Sequence, residues 1–78
     1  MTARPAKHSL TLRGHRTSVS LEPAFWEALR LLASEKGVSV NALAARIDAE
    51  RGDLGLASAL RLAILADLRS KAGLPPRD

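Results

Sequence analysis

With 78 residues the chain has room for one small domain, whose core alone rarely supplies more than ~3–5 kcal/mol. It has no cysteine, which excludes disulfides and thiolate metal sites and leaves burial against a second chain as the expected supplement. The net charge of +4 sits entirely in the first quarter: Arg4, Lys7, Arg13 and Arg16 face no acid before residue 21, while the remaining eight basic residues are balanced by all eight acids. That excess points to an anionic partner.

Residues 1–14 read as a basic arm. Met1 to Ser9 mixes small, basic and proline residues without periodicity, so it has little apolar surface with which to order itself. Its basic residues Arg4, Lys7 and Arg13 are candidate phosphate contacts, against the plainer reading of a solvated tail. From His15 the pattern alternates strictly, with Thr17, Val19 and Leu21 on one side and Arg16, Ser18 and Ser20 on the other, which predicts one half-buried strand. Leu10 and Leu12 extend the alternation backwards but Gly14 interrupts it, leaving an earlier strand or a bulge open.

Pro23 suits the first turn of a helix, and Phe25, Leu29, Leu32 and Ala33 recur at helical spacing until Gly37, a residue fitted to the left-handed stop. Ser39 is placed to cap a second helix, in which Val40, Leu43, Ala44 and Ile47 follow the i, i+3, i+4, i+7 pattern up to about Arg51. Residues 15–51 thus form the predicted core unit. After Gly52 a third helix is expected from about Leu56 to Lys71, within an oligomerisation segment of residues 52–72, and residues 73–78 with Pro75 and Pro76 read as a disordered tail. The third helix has a wide apolar face, on which Leu62 and Leu65 lie off the line through Leu60 and Ile64; these four are the expected oligomer surface.

A single strand followed by helices cannot satisfy its own backbone groups, so the same strand of a second copy is the simplest partner. The expected fold is mainly α with one short β-strand: an intertwined homodimer with a two-stranded antiparallel ribbon and a third C-terminal helix. Thr17, Val19, Leu21, Phe25, Trp26, Leu29, Leu43 and Ile47 would form the dimer core. Arg16, Ser18 and Ser20 would be displayed outward from a ribbon whose width fits the DNA major groove, where arginine can bond a guanine edge bidentately.

The start of the second helix, with its free amides and dipole, could hold a phosphate, although every helix needs a cap. His8 and His15 read as solvated residues of the basic segment, and no metal or cofactor is expected. Trp26 reads as a packing anchor in preference to a base-stacking platform. No phosphate-cradling glycine motif and no nucleophile with a positioned base is present, so the chain does not read as an enzyme. No apolar run reaches the ~18 residues of a spanning helix and the first twenty residues lack a signal peptide's apolar block, so no membrane partner and a cytoplasmic location are expected.

The run Arg16-Thr17-Ser18-Val19-Ser20-Leu21, the helix ending at Gly37 and Ser39-Val40-Asn41 opening the next together resemble the ribbon-helix-helix family of Arc and MetJ, strand-based DNA readers. A closer likeness is to small bacterial ribbon-helix-helix-domain proteins of poorly defined role. It rests on Leu12-Arg13-Gly14-His15-Arg16-Thr17-Ser18-Val19-Ser20-Leu21-Glu22-Pro23, Phe25-Trp26-Glu27 and Ser58-Ala59-Leu60-Arg61. The resemblance implies base reading by Arg16, Ser18 and Ser20, phosphate holding by Ser39, Val40 and Asn41, and a dimeric DNA-binding regulator, a repressor. It departs from the usual pattern in having serine at two of the three reading positions and a third helix, which suggests assembly beyond the dimer. The rival reading keeps the fold as a protein-interaction or scaffold module that does not read DNA, with an unknown protein partner.

Overall fold

The computed structural model describes residues 4–74, so Met1 to Ala3 and residues 75–78 of the expected tail lie outside the described residues. The chain forms β1 (Ala6–Leu12), β2 (His15–Leu21), α1 (Pro23–Lys36), α2 (Val40–Glu50) and α3 (Leu56–Lys71). The two strands pair antiparallel as a two-stranded sheet, in a register running from Ala6 opposite Leu21 to Leu12 opposite His15.

The hairpin corrects two expectations at once. Residues 6–12 of the basic arm are a strand, and β2 finds its partner within its own chain. The connection is only Arg13 and Gly14, with φ of 53° and 82°. Positive φ at both positions is the pattern of a type I′ turn, whose twist matches that of the flanking strands. Gly14 therefore closes the ribbon instead of interrupting it. β2 is paired within its own chain along one edge, so the argument that it must find a strand in a second copy no longer holds.

Because facing residues of an antiparallel pair share a side of the sheet, Leu10, Leu12, Val19 and Leu21 all point inward. They join Leu29, Leu32, Ala33, Leu43, Ala44, Leu60 and Ile64 in one core, and no polar residue is buried among the described residues. Phe25, Trp26 and Ile47 pack partly buried against it. Of the residues expected in a dimer core, then, Val19, Leu21, Leu29 and Leu43 already fill the core of a single chain. Thr17 shares their side of the ribbon but is exposed. It lines an open cleft between the hairpin tip and the helices, with Leu12, Arg13, His15, Asp48, Arg51 and Leu56.

The helices end as the sequence dictates. Gly37 at φ 70° closes α1 while Val38 N–H reaches back to the Ala33 carbonyl at 3.0 Å, the six-to-one bond of a Schellman stop. Ser39 Oγ accepts from Ala42 N–H at 3.0 Å at the start of α2. Leu60 and Ile64 are nearly fully buried inside the chain, which removes them from the expected oligomer surface. Leu62 and Leu65 remain about half exposed, as do Leu68 and Leu74. Among the described residues no helix is long and apolar enough to cross a membrane.

Candidate nucleic-acid interface

Alternation leaves the outer face of the hairpin to six side chains: Lys7, Ser9 and Thr11 from β1, and Arg16, Ser18 and Ser20 from β2. All six are exposed. The register sets Lys7 opposite Ser20, Ser9 opposite Ser18 and Thr11 opposite Arg16, so the face is polar and carries two cations near opposite corners. Sequence reasoning found the β2 half and missed Ser9 and Thr11. The signal that could have found them is two alternating runs separated by only two residues, one a glycine, which is a hairpin signature.

Lys7 changes character accordingly. Instead of riding on a flexible arm it is fixed on the same face as Arg16. Arg13 sits at the exposed hairpin tip and Arg4 just ahead of β1, also exposed.

Helix α2 meets this ribbon at its edge. Thr11 N–H donates to Asn41 Oδ1 at 3.1 Å, so that amide faces away from β2. By the alternation of an antiparallel ladder, Lys7, Ser9 and Thr11 turn their amides to the outer edge of β1, and Ser20, Ser18 and Arg16 turn theirs to the outer edge of β2. The start of α2 therefore lies beside β1. Ser39 Oγ holds Ala42 N–H, and the Ser39 carbonyl holds Leu43 N–H at 2.9 Å. The amides of Val40 and Asn41 belong to the first turn, where a helix offers them no acceptor of its own. Ser39 and Asn41 are exposed and Val40 half-buried.

Two side-chain clusters fix the hairpin to the helices. His8 stacks on Trp26, with ring centroids 3.9 Å apart and planes 5° from parallel. His8 is thus a half-buried packing residue and not a solvated one, and the stack covers a face of Trp26. Just past the C-terminal end of β2, Arg61 of α3 donates through Nε and one terminal nitrogen to Glu22 Oε1 and Oε2 at 2.8 and 3.0 Å, and its guanidinium lies 5.7 Å from the centre of the Phe25 ring. A hydrogen bond to its own backbone, and then the Arg61 partnership, hold the Glu22 carboxyl below the usual glutamate range. Glu22, Phe25 and Arg61, scattered across the sequence motifs, meet at one joint between the strand, α1 and α3. Among the described residues no group of histidines and carboxylates could hold a metal ion.

A family model described as ribbon-helix-helix domain matches residues 5–68, a span that includes β1 and most of α3. No curated protein and no solved structure matches the chain.

Proposed function

The chain belongs to the ribbon-helix-helix domain family, and from that premise we propose that it is a non-enzymatic, dimeric transcriptional regulator, a repressor, that lays its β-ribbon in the major groove of DNA. The observation that carries the reading is the outer ribbon face: six exposed polar side chains, two of them cationic, and nothing apolar among them. Arg16, Ser18 and Ser20 address base edges. The first-turn amides of α2 at Ser39, Val40 and Asn41 face phosphates beside β1, and Arg4 and Arg13 extend the basic surface past the ribbon's ends. Dimerisation falls to the exposed leucines of α3, Leu62 and Leu65. The fold and charge suit a cytoplasmic bacterial protein of this kind.

Selection of bound sequences from random DNA tests it. A recovered motif and retention that weakens with salt are expected; absence of both would sink the proposal. A second reading, a scaffold module that does not bind DNA, is favoured by the four half-exposed leucines of the C-terminal region, and it predicts no salt-dependent retention on bulk DNA.

A further inference from the structure

The two strands are near copies of one another. Lys7-His8-Ser9-Leu10-Thr11-Leu12 and Arg16-Thr17-Ser18-Val19-Ser20-Leu21 share one order: a base, a variable residue, serine, an aliphatic, a hydroxyl residue, leucine. The pairing respects the repeat. Ser9 faces its equivalent Ser18 at the centre, and on either side Lys7 faces Ser20 while its equivalent Arg16 faces Thr11, the equivalent of Ser20. A rotation of half a turn about the Ser9–Ser18 pair therefore exchanges the strands, base onto base and hydroxyl onto hydroxyl. The same rotation exchanges Leu10 with Val19 and Leu12 with Leu21, all four buried, so the symmetry holds on both sides of the sheet.

We propose that a single chain carries a complete, pseudo-two-fold reading ribbon, in which Lys7, Ser9 and Thr11 contact DNA bases as the internal counterparts of Arg16, Ser18 and Ser20. A two-stranded ribbon is what the major groove admits, and here one chain supplies both strands. Four residues of strand separate Lys7 from the level of Arg16, ~13 Å at the usual strand rise, so the two cations address positions near the two ends of a short site. The site is a quasi-palindrome. Arginine offers a bidentate fork and lysine a point charge, and Thr11 adds a methyl that Ser20 lacks, so its halves are read with unequal stringency. The reading half of this proposal rests on the DNA-binding function above, and the intrachain ribbon does not.

Two experiments separate them. Ser9 and Ser18 form a pair whose amides point away from each other, the closer kind of antiparallel pair and within reach of a disulfide. In this cysteine-free chain, Ser9→Cys with Ser18→Cys should oxidise to a disulfide-linked monomer at any dilution. A double variant that stays reduced under oxidising conditions, or that links only between chains and only at high concentration, would show that Ser9 and Ser18 are not paired within one chain and would overturn the intrachain ribbon. On a site selected from random DNA, Lys7→Ala and Arg16→Ala should each cost roughly tenfold in preference at one position, the two positions mirror-related about the centre. If Lys7→Ala weakens binding to selected and scrambled DNA equally, Lys7 is a phosphate contact and the two-strand reading is overturned. If neither substitution alters binding to any DNA, the DNA-binding function fails and the base-contact claim with it, while the disulfide result still decides the ribbon.

Discussion

Arg13 occupies the left-handed region at φ 53°, a conformation that costs an L-residue with a side chain ~1–2 kcal/mol and that asparagine tolerates better. Arg13→Asn, which creates the Asn-Gly pair favoured in such turns, should raise unfolding stability by about 0.5–1 kcal/mol in a denaturant titration; an unchanged midpoint would mean that Arg13 holds a compensating contact. The same turn shows why an earlier strand was only one of two alternatives in the sequence. Sequence reading took Gly14 as a break because glycine weakens strands, yet a two-residue turn asks for glycine and carries the alternation straight through. His8 misled for a related reason: in a basic, aperiodic stretch a histidine reads as solvated, and only the position of Trp26, eighteen residues on and in a helix, makes it a packing residue.

Among the elements, the three helices were legible almost to the residue because their stops are local chemistry: Pro23 at a first turn, Gly37 at a left-handed stop, Ser39 at a cap. What joins the elements was not legible, because it depends on partners far apart in sequence. The Glu22–Arg61 pair spans 39 positions and ties the β2–α1 corner to α3. Since the folded-state pKa of Glu22 is lowered, its contribution is fully present above the ordinary glutamate value and is lost as pH falls through the depressed one. Arg61→Gln should therefore flatten the acid limb of the stability–pH profile, measured by chemical denaturation below the ordinary glutamate pKa. An acid limb identical to that of the parent would assign the shift to the backbone hydrogen bond alone. Lys71 works in the opposite sense. Hydrogen bonds to Asp67 and Glu35 raise its pKa, so that contribution is present below the ordinary lysine value and fades as pH rises through the raised one. Being exposed, it is a minor effect.

For the whole molecule, the intrachain hairpin changes what association must accomplish. The sheet is paired within the chain, so any association would use surfaces the chain leaves uncovered, among them the exposed Leu62, Leu65, Leu68 and Leu74. Of the four residues expected on an oligomer surface, helical geometry sends Leu60 and Ile64 to the core and leaves Leu62 and Leu65 exposed. Leu62→Glu with Leu65→Glu should lower the mass seen by sedimentation while leaving circular dichroism intact, since neither side chain belongs to the core. An unchanged mass would place the association elsewhere or leave the chain a monomer.

The stack of His8 on Trp26 gives this ribbon an optical signature. Trp26 is the sole tryptophan of the chain, and one of its faces is covered by a residue of β1. Its emission therefore reports the seating of the first strand on the first helix together with the packing of Trp26 against the core. A β1 that peels away while the helices persist would shift that emission toward the wavelength of a hydrated indole before helicity falls. A ribbon that opens only with the whole fold would give coincident transitions. Unfolding followed by both probes thus times the hairpin against the body it rests on, with no label attached.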